Sequence, residues 1–275
     1  MEKIQNMHSN ETLQNIGQSL LTVFLLGLSF LLMVNGLGLK FAVYLMIIFL
    51  CKEVGYYLAL KKKGHYYYPA YVLPFPYPFG SLGTFRSIKS IKHNSKLDIH
   101  VHTQGVFYAF IASVIMMFMG LKASGFSDTV EHGYQFLWGH NLLSTFLHYV
   151  LDMYPKEGSL LNYDPLYLAG LAGSFTCALV LLPIGQLNGG FIARQVLGDR
   201  YIWLSGFCCV VLFVLGFTHH YVWHMIMSMF LLFTYNHQNE NKIIKKPTGT
   251  EKIKVFLCLL IFILCFIAKP YVFSI

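Results

Sequence analysis

The chain has 275 residues, 56% of them apolar and only 12% charged. A soluble domain carries roughly a quarter charged residues, so this composition excludes an ordinary soluble enzyme, a disordered chain and a collagen-like chain. The balance of 20 basic against 12 acidic residues reads as the Lys/Arg bias of cytoplasmic loops, not as a surface for nucleic acid.

In chain order, residues 1–19 are polar with both signs of charge. They lack the basic start and apolar core of a signal peptide and are expected to be a cytoplasmic segment. Residues 20–275 are expected to form a single membrane domain. Seven apolar segments follow: Leu20–Val34, Ala42–Leu60, Val106–Leu121, Pro165–Pro183, Ile202–Phe217, Tyr221–Tyr235 and Val255–Ala268. Their lengths approach what the ~30 Å hydrocarbon layer requires. The first two are joined by Asn35-Gly36-Leu37-Gly38-Leu39-Lys40, which reads as a tight turn. The loop from Lys61 to Gln104 carries Pro74-Phe75-Pro76-Tyr77-Pro78-Phe79-Gly80, a spacing that breaks helices. The alternation in Ser81–Ile88 predicts a β-hairpin or re-entrant loop between helices 2 and 3. In the second long loop, from Ala123 to Asp164, the stretch Tyr134–Leu151 predicts an interfacial helix with Trp138, His140 and His148. The expected architecture is therefore an all-α polytopic membrane protein of about seven transmembrane helices with a small hairpin.

Basic residues orient such a chain. With a cytoplasmic N-terminus and seven spans, fifteen of the 20 lie on the cytoplasmic side. Lys40, Lys122, Lys156 and Lys269 lie outside, and Lys52 is left within a span. The six cysteines all sit in apolar stretches without CxxC spacing. They read as small buried hydrophobes rather than a disulfide or metal set.

Ionisable residues within a span are costly and are functional candidates. The second segment holds Lys52 and Glu53, followed by Tyr56. Lys52 and Tyr56 are i and i+4 and share a helix face. The competing reading is that Lys52 snorkels to the cytoplasmic edge. A second cluster, Leu182-Pro183-Ile184-Gly185-Gln186-Leu187-Asn188-Gly189-Gly190, closes the fourth span with broken backbone and polar amides; an ordinary turn leaving the bilayer is its competing reading. His100 with His102, and His219, His220 and His224, are further metal-capable sets; the latter also fit as anchors at the membrane edge.

Taken in this order, the landmarks resemble the site-2 protease family of intramembrane zinc metalloproteases (M50), in its plant-plastid and bacterial branch. The resemblance covers about residues 20 to 270. That family carries His-Glu-x-x-His on one helix and Leu-Asp-Gly at a later one; the two His and the Asp hold zinc, and the Glu is the general base. Here Lys52-Glu53-Val54-Gly55-Tyr56 falls on the first motif and Leu187-Asn188-Gly189 on the second. The loop from Pro74 to Phe85 and the basic loop before the last helix also fit. The departures are specific: Lys52, Tyr56 and Asn188 stand at the three ligand positions, and only Glu53 is retained. Val180 replaces the Asn before the Pro turn, and Thr103-Gln104 replaces a Gly-Pro. A protonated lysine has no lone pair to give a metal, so no bound metal and no cofactor are expected. The resemblance implies instead that the Lys52 ammonium stands near the metal's place, bonded to Glu53, Tyr56 and Asn188; drift after loss of catalysis is the other account.

The leading functional expectation is a pseudoprotease that binds a transmembrane or extended-peptide partner, with Tyr71, Phe79, Gly83 and Phe85 as groove and strand candidates. The alternatives are an active peptidase with an atypical site, in which Glu53 would be catalytic, and a transporter, which intramembrane charges beside broken helices also suit.

Overall fold

The structure, a computed structural model, describes residues 2–62, 71–74, 81–85, 99–127, 136–153, 160–185, 187–218, 247–267 and 271–273. Helix α1 runs Glu2–Lys62 and contains both of the first two apolar segments. The turn expected at 35–40 is instead a break at one residue, Gly38, whose φ of 88° and ψ of 168° leave helical geometry. Glycine tolerates that conformation without a Cβ penalty. Next come strands β1 (Tyr71–Pro74) and β2 (Ser81–Phe85), paired antiparallel with Tyr71 opposite Phe85 and Val72 opposite Thr84. The expected hairpin is thus present between the second and third apolar segments. Phe79 lies outside the described residues.

Helix α2 spans Ile99–Ala123 and α3 Leu142–Leu151. The interfacial helix predicted over 134–151 is therefore shorter than expected. Phe136–Trp138 is a strand, β4, and it pairs with β6 (Tyr271–Phe273). A separate pair joins β3 (Gly125–Ser127) to β5 (Leu160–Asn162). The all-helical expectation misses these short ladders, because three-residue strands carry too few positions for a two-residue period to register.

Helix α4 (Pro165–Val180) begins under an Asp164 cap that accepts from the Leu166 N–H at 2.7 Å, with Pro165 at the first position. It stops before Pro183, which has no N–H to continue a helix. Helices α5 (Asn188–Leu197), α6 (Tyr201–Thr218) and α7 (Gly249–Cys265) complete the described chain. A Thr248–Glu251 capping box opens α7.

Among the described residues, three helical stretches are long and apolar enough to cross a membrane: Leu20–Lys62, Ile99–Ala123 and Asn188–Val214. Their outward faces carry Phe24, Leu50, Ile111, Trp203 and Phe207, all exposed. Apolar surface of that extent needs hydrocarbon around it, and the chain is an integral membrane protein. The expected count of seven is not reached in the described residues. Helix α4, with 16 residues, rises only about 24 Å, and Tyr221–Tyr235 lies outside the described residues.

The core forms where α1, α2, α4 and α7 meet, around Phe41, Leu45, Ile48, Met117, Tyr167, Phe175, Ile261 and Cys265. Buried Asn141 ties this core to α3. Its side-chain oxygen accepts from the Ser144 N–H at 2.7 Å, capping the helix. Its Nδ2 donates to Ser174 Oγ on α4 at 2.9 Å and to the Cys265 carbonyl on α7 at 3.3 Å. Asn141→Asp keeps the cap but turns two donors into an acceptor. Leaving those partners unsatisfied costs about 2 kcal/mol, and thermal unfolding in detergent micelles is expected to fall by several degrees. Ser174→Ala, which removes one of these partners, should cost less.

Candidate functional site

The two motif segments come together. Helix α1 presents Lys52 and Tyr56 one turn apart on one face with Glu53 beside them, α2 lies against that face, and α5 starts nearby with Asn188. The contact of α1 with α2 is close because both helices lack side chains at the crossing. A Cβ at Gly105 would stand 2.5 Å from the Tyr56 ring and 2.9 Å from the Lys52 carbonyl oxygen. A Cβ at Gly55 would stand 2.9 Å from the Gln104 carbonyl oxygen. Small residues at a crossing let backbones approach in membranes, where burial alone gives little force between helices.

Asn188 is delivered by the broken backbone after α4. The chain turns through Leu181–Leu187 with Gly185 at a φ of 51°, in the left-handed region. The Ile184 N–H donates to the Leu182 carbonyl at 2.8 Å and the Leu187 N–H to the Ile184 carbonyl at 3.2 Å. The described residues of this segment are buried, with Pro183 half-buried, the condition under which such backbone is tolerated at membrane depth. Asn188 Nδ2 then donates to the Tyr56 hydroxyl and, at 2.9 Å, to the His102 carbonyl. The His102 ring stacks on Phe191 with 4.0 Å between centroids, joining α2 to α5 just behind.

Lys52 is 5% exposed. A snorkelling lysine would carry its head into water, so burial favours the site reading over that competitor. Lys52 also lies within electrostatic range of Cys177 on α4. Glu53 is half-buried. Consecutive helical residues project about 100° apart, so Glu53 does not share the Lys52–Tyr56 face.

No family model matches the chain. Among curated proteins, "Probable zinc metalloprotease EGY1, chloroplastic" of Oryza sativa subsp. japonica is 30% identical over 174 residues, 60% of this chain and 29% of that protein. "Probable zinc metallopeptidase EGY3, chloroplastic" of Arabidopsis thaliana is 24% identical over 161 residues, 54% of this chain and 28% of that protein. Over these stretches the chain is homologous to plant proteins named as probable zinc metalloproteases. It spans under a third of the length of these plant relatives. Among solved structures, "Site-2 Protease from Methanocaldococcus jannaschii" matches with a TM-score of 0.42 and 15% identity, over 85% of this chain and 93% of that one.

The zinc of site-2 protease-like proteins does not fit the residues present. Lys52 has donors and no lone pair when charged. Asn188 has turned both hydrogens of its amide nitrogen onto Tyr56 and His102. The alternative pair His100 and His102 is not gathered around one point: His100 Nδ1 meets the Lys254 ammonium of α7 at 2.7 Å, while His102 stacks on Phe191. His219, His220 and His224 lie outside the described residues. Among the described residues, no group of three His, Cys, Asp or Glu side chains is placed to share a metal.

The hairpin candidates are placed as backbone: Tyr71 opens β1, and Gly83 and Phe85 lie on β2. Buried Val72 of β1 anchors the pair in the core.

Two features escaped the sequence reading. One is the acceptor role of the His102 carbonyl, which no side-chain pattern encodes. The other is a polar cluster on the α3 side, built from His140, His148, Tyr163 and Tyr167. His148 Nδ1 meets the Ser144 carbonyl at 2.8 Å. The Tyr163 hydroxyl lies 3.1 Å from His148 Nε2 and 3.3 Å from His140 Nε2. The Tyr163 ring stacks on Tyr167 with 4.6 Å between centroids. Burial pushes the Tyr163 phenol up to about 12. Histidine enrichment near Trp138 was visible in the sequence, but nothing local tied Tyr163 to it.

Proposed function

We propose that this chain is a catalytically inactive site-2 protease-like membrane protein that binds a transmembrane or extended-peptide partner. The observation that carries the reading is the hydrogen bond from Asn188 to Tyr56. Two of the three side chains at the family's ligand positions close on one another instead of offering lone pairs to a cation. The third is a buried lysine, whose ammonium supplies positive charge where the family keeps a zinc ion and so balances the retained Glu53. Glu53 without an activated water has no nucleophile to serve as base for.

Partner binding rests on what the fold retains. β2 pairs with β1 and with no other described strand, so its second edge offers backbone groups to an added strand. The distribution of basic residues supports a cytoplasmic N-terminus and a larger number of spans than the three long helices.

The test uses the full chain reconstituted with a transmembrane reporter peptide. Neither the parent nor Glu53→Gln is expected to cleave it; cleavage by the parent that Glu53→Gln abolishes would end the reading. A photo-crosslinker at Thr84 on β2 should capture the reporter, and an unlabelled reporter should compete. Failure of capture would remove the binding half of the proposal.

A further inference from the structure

The cluster beside α3 brings three ligand-capable atoms together. Two imidazole Nε2 atoms, from His140 and His148, converge on one oxygen, the Tyr163 hydroxyl, at 3.3 and 3.1 Å. The phenol can donate its one proton to one of them and accept from the other. The Nδ1 of His148 is committed to the Ser144 carbonyl at 2.8 Å, which assigns its proton to Nδ1 and its lone pair to Nε2. That is the arrangement by which a backbone carbonyl orients a metal-ligating histidine. His140 Nδ1 faces Ser144 Oγ at 3.4 Å and the Tyr167 hydroxyl at 3.5 Å, which fix the orientation of the second ring.

The spacings also suit a cation. Tetrahedral ligands at ~2.0–2.1 Å from a metal lie about 3.3 Å from each other, close to both separations here. The two rings are T-shaped with 5.0 Å between centroids, so both can direct nitrogen at a shared point without stacking. The cluster is rigid on one side, since His148 is buried and Asn141 and Ser144 close a capping box beneath it. On the other side His140 is exposed, which gives an ion a way in from water.

We infer that His140, His148 and Tyr163 form a binding site for a borderline divalent transition-metal cation of the zinc–copper class, separate from the Lys52–Asn188 site. The two imidazoles are the primary ligands and the phenol oxygen is the third. Water from the His140 side completes the coordination. On binding, the O–H bond of Tyr163 breaks, its electron pair forms the oxygen–metal bond, and the proton leaves to solvent. The metal's oxidation state does not change. Imidazole with one phenolate oxygen favours Cu²⁺ over Zn²⁺ and both over Mg²⁺ or Ca²⁺.

The experiment titrates Cu²⁺, Zn²⁺ and Mg²⁺ separately into the purified full chain in detergent micelles, with bound metal counted after dialysis. One equivalent of Cu²⁺ or Zn²⁺ and no retained Mg²⁺ are expected. His140→Gln or His148→Gln should weaken binding at least ~10-fold. Tyr163→Phe keeps the ring packed on Tyr167; it should weaken binding less and remove the phenolate-to-copper absorption band that the parent shows. His220→Gln with His224→Gln serves as the control and should change nothing. The inference is overturned if the retained metal follows His220 and His224, if the His140→Gln/His148→Gln double variant folds and binds unchanged, or if no equivalent is retained.

Discussion

Gly189→Ala is expected to cost about 3 kcal/mol of stability. Gly189 follows Asn188 in the first turn of α5, and a Cβ there would fall on the carbonyl of Leu181, with the Leu182 carbonyl oxygen 2.5 Å away. These are backbone atoms of the turn that carries Pro183, so no rotamer change relieves the overlap. Overpacking a rigid site costs about 1–3 kcal/mol and at times more. At roughly 2–4 °C per kcal/mol, the midpoint of thermal unfolding in micelles should drop by about 6–12 °C. Gly206→Ala provides the contrast. A Cβ at Gly206 on α6 has nothing within 4 Å, so that variant should unfold at or slightly above the parent temperature. Equal losses in the two variants would show that the α4–α5 turn is not the tightly packed element described here.

The second large effect concerns the site itself. The triple variant Lys52→His/Tyr56→His/Asn188→Asp places imidazoles at i and i+4 on α1 and a carboxylate at the start of α5. Because Asn188 already reaches the Tyr56 hydroxyl, the new donors would converge across the same gap. Two neutral imidazoles and a carboxylate form a borderline-metal ligand set with an open position. The variant should retain one more equivalent of zinc per chain than its parent. Both are best measured in the His140→Gln/His148→Gln background, so that the cluster beside α3 does not contribute. Restoring Lys52 alone to the triple variant should eliminate the added equivalent, since an ammonium then occupies a ligand position beside the cation. A folded triple variant without added zinc would mean that the helices hold these positions too far apart for a metal, and that the family resemblance does not extend to the geometry of the site.

Both experiments bear on how this molecule is read. Lys52 and Tyr56 were legible from spacing, because a helix puts i and i+4 on one face whatever surrounds it; Asn188 was singled out by its broken-backbone cluster and by the family resemblance. The hairpin was legible from its proline spacing and alternation. The break at Gly38 was legible as a region of glycines but not as one residue, since Gly36 is equally permissive and remains helical. The strands Phe136–Trp138 and Tyr271–Phe273 were not legible: each finds its partner more than a hundred residues away.

Membrane residence and the identity of the residues at the family's ligand positions follow from the sequence by itself. The first depends on composition and hydropathy; the second rests on the resemblance of two short motifs to those of a known family. The tertiary structure decided which of those residues meet. The Asn188–Tyr56 bond joins side chains 132 positions apart. It exists because Gly55 and Gly105 let α1 and α2 touch, and because the buried turn after α4 returns the chain to the same level. The convergence of His140 and His148 on Tyr163 has the same origin. It requires α3 to be capped by Asn141, and Asn141 in turn to be held by α4 and α7. Such contacts are set by the packing of whole helices, and no short window of sequence contains them.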